Sequence, residues 1–258
     1  PIISNSFTRA ESYLSDKYDF RKNIVSHQYQ YKAKDRQKYN DLNEHSLFRE
    51  LQKVGIIISL NNLVALIKSD FVPEYDPFTE YFENLKWDGK DHISELSFYV
   101  KAREQTEWKK HFKKHLVRTV ACALIPEYFN KQALIIIDPK QNSGKSTFIR
   151  FLCPTILSDY IAEDLTTDKD SRILLSKNLI INLDELAVLS KKDVAQLKSF
   201  ISKDKINDRL PFDRRNSILP RRASFFGSSN NLEILNDETG SVRWICFEIT
   251  SIDWSYRE

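Results

Sequence analysis

The chain has 258 residues, of which 41% are hydrophobic and 12% aromatic, and carries a formal charge of +3. That length and apolar content suit one large α/β domain, or a medium one with a small appendage, and exclude a chain too polar to build a core. The charge is too small to argue for nucleic-acid binding by itself, so that case rests on local clusters.

In chain order, residues 8–20 read as a short helix with Ala10, Tyr13 and Leu14 on one side, and 20–34 as a hairpin. Asn43 is placed to cap a helix carrying Leu47, Phe48, Leu51 and Val54, which Gly55 stops. Ser59 is placed to cap a second helix, with Leu63, Leu66 and Ile67 inward. These elements form a small N-terminal accessory module, helical or α+β, over residues 1–70. A lead-in follows over residues 71–133. It begins with an aromatic, turn-rich stretch around Trp87-Asp88-Gly89-Lys90. It continues as a helix announced by Trp108, Phe112, Leu116, Val120 and Leu124 at a spacing of four. Lys109, Lys110, Lys113, Lys114 and Arg118 lie on its other faces, as a solvated surface or, second, a contact to nucleic acid or a neighbouring subunit.

The core is expected over residues 134–258. Its strands are read from Leu134, over 179–183, over 223–227 and over 243–250. Largely continuous apolar strands separated by helices imply a parallel sheet covered on both faces. Ligands gather at the carboxyl ends of such strands, and three polar clusters fall there.

The first cluster is Gln141-Asn142-Ser143-Gly144-Lys145-Ser146-Thr147, between the first strand and a helix. A strand, a tight loop and a helix opening with Gly-Lys-Ser can seat nucleotide phosphates on backbone N–H groups, with Lys145 adding a mobile positive charge. The register is imperfect: Pro139 stands where the first glycine of a phosphate loop belongs, and supplies no N–H. Asn142 is expected to replace a glycine in a left-handed conformation. The second cluster is Asp184-Glu185. Strands often end in acids where they meet water, but beside a phosphate loop the pair gains a function. Ser146 and Asp184 can hold Mg²⁺, and Glu185 can polarise the attacking water. The third cluster ends in Asn230, which can position that water or is an ordinary loop asparagine.

Residues 203–222 hold Lys203, Lys205, Arg209, Arg214, Arg215, Arg221 and Arg222 against three aspartates, with Phe212 in the middle. Basic residues around an aromatic can grip the backbone of single-stranded nucleic acid and stack a base; the alternative is a loop of balanced ion pairs. Cys122, Cys153 and Cys246 give neither a disulfide framework nor zinc spacing. No signal peptide is visible and no run approaches the ~18 apolar residues of a membrane span. A cytoplasmic location without membrane contact is expected. The chain starts at Pro1 and lacks Met, and is expected to be a piece of a longer protein, cut at its C-terminus.

The order of these pieces resembles the virulence-associated protein E family of phages, plasmids and integrated elements, which is related to the superfamily-three helicases. The resemblance runs from Asp76-Pro77-Phe78 and Trp87-Asp88-Gly89 to Ile249 and includes Gly240-Ser241-Val242-Arg243-Trp244. It implies a P-loop NTPase (AAA+-like) fold, ATP with Mg²⁺, and a helicase or translocase motor acting on single-stranded or forked DNA. It also implies a homo-oligomer, with a hexameric ring as one form, and a primase domain or protein as companion. Lys145 and Ser146 match the Walker A core, Asp184 and Glu185 the Walker B pair, and Asn230 the sensor. The basic segment matches a pore hairpin, and Arg243 an arginine finger reaching a neighbouring subunit, with Arg221 and Arg222 as fallbacks. Val242 stands where the family usually has another arginine, and Ser241 where it often has asparagine. Three rival readings stay open: a switch or clamp-loader-like ATPase without unwinding, a degenerate non-enzymatic nucleic-acid-binding module, and a small-molecule kinase.

Overall fold

Asn5 begins the ordered reading of the chain by closing a capping box on the first helix. Its Oδ1 accepts from the N–H groups of Phe7 and Thr8, while the Thr8 hydroxyl accepts from its own N–H. The computed structural model describes residues 5–163, 165, 169–184, 186, 191–209, 216–231 and 242–257. It divides into two units, Pro1–Asn84 and Leu85–Glu258.

In the first unit, α1 (Ser6–Lys17) runs directly into β1 (Tyr18–Asn23), which pairs antiparallel with β2 (Tyr29–Ala33). β3 (Asn40–Asp41), α2 (Glu44–Lys53), α3 (Leu60–Ile67), β4 (Glu74–Tyr75) and α4 (Pro77–Asn84) follow. Asn43 and Ser59 cap α2 and α3 as the sequence predicts, accepting from the N–H groups of Ser46 and Asn62. The predicted first helix overruns by three residues. Tyr18 and Phe20 alternate about Asp19 and pair across the hairpin with Ala33 and Tyr31, so strand burial wins there. The unit also extends past residue 70, because β4 runs parallel to β1 and completes the sheet order β3-β2-β1-β4. Ala10, Leu14, Phe20, Leu47, Leu51, Leu63 and Leu66 form its core.

The second unit contains α5 (His92–Ser97), β5 (Val100–Ala102), α6 (Gln105–Leu124), β6 (Ala133–Ile137), α7 (Lys145–Phe151) and β7 (Ile161–Glu163). It continues through α8 (Lys169–Lys177), β8 (Ile180–Leu183), α9 (Lys191–Ile201), β9 (Lys205–Asp208), β10 (Ser217–Pro220), β11 (Ser224–Ser229) and β12 (Trp244–Ile252), and ends in a 3₁₀ turn, Trp254–Arg257. Six strands form one sheet in the order β5-β12-β6-β11-β8-β7. All neighbours are parallel except β5 and β12. Every residue of β6, β8 and β11 is buried, as both faces of the sheet are covered. Ile135, Ile181, Leu183 and Phe225 pack with Leu175 of α8 and Leu197, Phe200 and Ile201 of α9. On the other face α6 lays His115 against Phe226, and its Phe112 meets Phe148 of α7.

The buried stripe of α6 is Trp108, Phe112, His115, Thr119, Cys122 and Ala123, not the predicted row of every fourth residue. A spacing of four overshoots the 3.6-residue turn, so Leu116 and Val120 drift to the margin of the contact. Two of the lysines on the remaining faces are paired: Lys110 with Glu107 at 3.0 Å, and Lys113 with Asp91. Among the described residues no helix is long and apolar enough to cross a membrane.

Candidate active site

β6 delivers the chain to Asp138, whose carboxylate accepts from the N–H of Lys140 at 2.9 Å and bends the following loop back. Asn142 (φ 56°) and Gly144 (φ 88°) both adopt the left-handed conformation before α7 begins. Asn142 thus does the work of a glycine, and the asparagine is the side chain that tolerates it best. Pro139 contributes no donor to this loop.

The Lys145 ammonium is buried and turned inward. It donates to the carbonyls of Asp138 and Lys140, both at 3.1 Å, to Ser143 Oγ at 3.2 Å and to Asn230 Oδ1 at 2.8 Å. Burial pulls its pKa below the usual lysine value, while the charges of Asp138 and Asp184 push the other way.

Asp184 follows β8, Ser228 and Ser229 end β11, and Asn230 follows it. One Asp184 oxygen, Oδ1, accepts from Ser146 Oγ at 2.7 Å and from Ser228 Oγ at 2.5 Å. Arg150, one turn beyond Ser146 on α7, is held by Glu163 through bonds of 2.7 and 3.2 Å, with one Nη 3.9 Å from Asp184 Oδ2. Asn182 of β8 donates to the same Glu163 at 2.7 Å. A cavity of about 350 Å³ is lined by Gln141 to Thr147, Arg150, Asp184 and Ser228 to Asn230. The strand ends therefore bring together the loop residues Gln141, Asn142, Ser143, Gly144, Lys145, Ser146 and Thr147 with Asp184 and Asn230. Ser228, Arg150 and Glu163 are site residues that sequence reasoning missed. Ser228 lies two before Asn230 and so on the same side of β11, and Arg150 lies four after Ser146 on one helix face. Both were findable from spacing; Glu163 depends on its cross-strand partner.

The donor set fits a hard cation that keeps other oxygen ligands. A hydroxyl and a single carboxylate, Ser146 and Asp184, touch each other, and among the described residues no group of three or more His, Cys, Asp or Glu could hold a metal alone. Such a pair is a partial oxygen coordination that a hard divalent cation would complete with water or other oxygen ligands.

The remaining predicted residues separate. Glu185, Phe212, Arg214 and Arg215 lie outside the described residues, as do Gly240 and Ser241. β9 and β10 pair antiparallel as the two arms of a hairpin, with Lys205 and Arg209 exposed and Lys203 half-buried. Arg221 and Arg222 correct the sequence reading, because neither presents its guanidinium to solvent. Arg221 is fully buried and donates to the carbonyls of Ala223, Ile201, Lys203 and Asn130. Burial lowers its pKa to about 10. Arg222 donates to the Ala123 carbonyl at 2.8 Å. Each side chain serves the C-terminal carbonyls of a helix, α9 and α6 respectively. Neither can act as a nucleic-acid contact or a finger.

Arg243 sits where β12 begins. Its carbonyl accepts from the N–H of Ala133, the first residue of β6, and its Nε donates to Ser202 Oγ at 2.8 Å. β6 separates this edge from the loop by five residues, about 15 Å at strand rise. Arg243 and the hairpin thus lie at the amino ends of strands whose carboxyl ends carry Lys145 and Asp184.

The model of the virulence-associated protein E-like domain matches residues 82–257, well over half the chain. No curated protein matches. Among solved structures, the apo NrS-1 C-terminal region (305–718) aligns at 15% identity and a TM-score of 0.58, covering 96% of this chain and 63% of that one. A second apo form of that region gives 15% identity, a TM-score of 0.55 and the same coverages. The chain therefore spans less than two thirds of the structures it matches, and the likeness is one of fold.

Proposed function

Because the chain belongs to the virulence-associated protein E-like domain family, we propose that it is an ATP-hydrolysing P-loop motor core, AAA+-like in type, of a helicase-related replication protein from a mobile genetic element. One observation carries the reading: Lys145, Ser146, Asp184 and Asn230 meet in one cavity at the carboxyl ends of neighbouring parallel strands. Support also comes from the strand order, in which β11 separates the loop-bearing β6 from the acid-bearing β8.

In this reading the loop N–H groups and Lys145 hold the β- and γ-phosphates, Lys145 exchanging its carbonyl partners for phosphate oxygens. Mg²⁺ held by Ser146 and Asp184 supplies charge neutralisation for those phosphates. Asn230 orients a water toward the γ-phosphorus, and Glu185, next in sequence to Asp184, takes its proton as the bond to the bridging oxygen breaks. Arg243 stands too far from its own loop to touch that phosphate, and completes the site of a neighbouring copy in an oligomer. The exposed Lys205 and Arg209, with Lys203 and the sequence neighbours Phe212, Arg214 and Arg215, engage single-stranded DNA.

The test is ATP turnover per subunit, with and without single-stranded DNA, over a range of protein concentration. Turnover should rise with both concentration and DNA, vanish in Lys145→Ala, and collapse in Arg243→Ala. A rate indifferent to concentration and to Arg243 removes the shared site, and no turnover in the wild type removes the motor. Strand displacement on a forked DNA separates a translocating motor from a switch.

A further inference from the structure

β6, which carries the loop, has β11 on one side and β12 on the other. Asp184, Ser228 and Asn230 all belong to the β11 side, so the Lys145 ammonium and the acid lie toward that flank. On the opposite flank the chain leaves β12 and makes the turn Trp254–Arg257. Asp253 fixes that turn by accepting from Ser255 N at 3.0 Å and Ser255 Oγ at 2.8 Å. Tyr256 anchors it to α7, with its buried ring 5.2 Å from Phe148 and 4.7 Å from Phe151 between centroids.

Trp254 lies directly against the loop. A Cβ at Gly144 would stand 2.4 and 2.6 Å from Cζ2 and Cη2 of its indole, closer than atoms can approach. The Arg257 guanidinium lies 4.5 Å from its ring centroid, yet the residue remains 45% exposed. A large aromatic ring set against the loop that lines a polar cavity, stacked on Tyr256 at 6.2 Å and 25° and still 45% exposed, is suited to taking a flat partner on its open part.

An oligophosphate anchored at Lys145, Asp184 and Asn230 with its other end lying over Gly144 would bring that end to Trp254. We propose that the Trp254 indole is the stacking platform for the base of the nucleoside triphosphate. This rests on the phosphate-site reading above and assigns its nucleoside end. The site selects for a base of any kind over none. It favours purines over pyrimidines only as far as their larger faces stack better, since the platform offers a π-face rather than a hydrogen-bonding edge.

The experiment measures equilibrium binding of ATP and of inorganic tripolyphosphate to the 258-residue chain, in the wild type, Trp254→Ala and Trp254→Phe. Trp254→Ala should lose about 5- to 150-fold in ATP affinity, the range of one base–aromatic stack, with tripolyphosphate affinity unchanged. Trp254→Phe keeps a ring at the lip and should recover most of the loss. Equal loss for both ligands would mean that Trp254 merely props the loop, and no loss for either would mean that the base sits elsewhere; each overturns the proposal. Wild type that binds tripolyphosphate no more weakly than ATP overturns it while sparing the phosphate site. Wild type that binds neither removes the phosphate site and the platform together.

Discussion

Replacing Arg221 by Met should destabilise the second unit without touching the Lys145 cavity or the hairpin surface. The guanidinium makes three bonds in fully buried surroundings, to Ala223 O at 3.1 Å, Asn130 O at 2.8 Å and Ile201 O, and a fourth to Lys203 O at 3.1 Å where burial is partial. Met fills similar volume but removes the guanidinium donor from those carbonyls, Ala223 O keeping only the weak Cys122 thiol at 3.7 Å, at ~1–3 kcal/mol for each buried acceptor. The low end applies, because removing the guanidinium also removes its desolvation cost. Three acceptors at that end give about 3 kcal/mol. For a unit of this size, about 2–4 °C per kcal/mol converts this to a fall in Tm of about 6–12 °C, read by thermal unfolding followed by circular dichroism. Arg221→Lys should rescue little, since an ammonium presents its donors from a single atom and cannot reach carbonyls from three segments. An unchanged Tm together with lost binding of single-stranded DNA would refute the structural role and return Arg221 to the surface.

Gly144→Ala should be destabilising on two counts, the left-handed φ of 88° and the indole 2.4 Å from the new methyl. In a double-mutant cycle with Trp254→Ala, part of that cost, about 1 kcal/mol or more, should disappear. Additive effects would show that the two residues do not touch. Burial lowers the pKa of His115 from 6.5 to about 3, so the folded ring is neutral, in keeping with its contacts to Phe225 O and Asn130. Between those values the unfolded chain binds the extra proton, and stability falls as pH drops through that window, by roughly 1 kcal/mol per pH unit. His115→Gln should lose that slope; urea unfolding at pH 7, 6 and 5 with equal slopes in both proteins would refute it.

The loop and the two strand ends were legible because fully buried parallel strands are apolar runs, and the polar residues that interrupt them fall at the rim. Asn142 could be read as a glycine substitute from backbone sterics alone. Arg221 and Arg222 could not be read correctly, because they sit in a sequence rich in exposed basic residues. What buries them is a set of carbonyls from α6, α9 and residue 130, distant in sequence. The three-residue edge strand β7 carries too short a pattern to register. Its Glu163 therefore stayed hidden, although it holds Arg150 beside Asp184. The helix–strand boundary at Tyr18 failed for a related reason, since only pairing with Ala33 tells a strand residue from one more helical turn.

The way Lys145 is housed has a consequence for any anion that arrives. The residue is only 6% exposed and its ammonium is supplied with four oxygen partners by the chain itself, so it sheds much of its hydration shell during folding rather than at the encounter. An incoming phosphate swaps one set of oxygens for another, so the net gain lies in charge meeting charge and hardly at all in bond count.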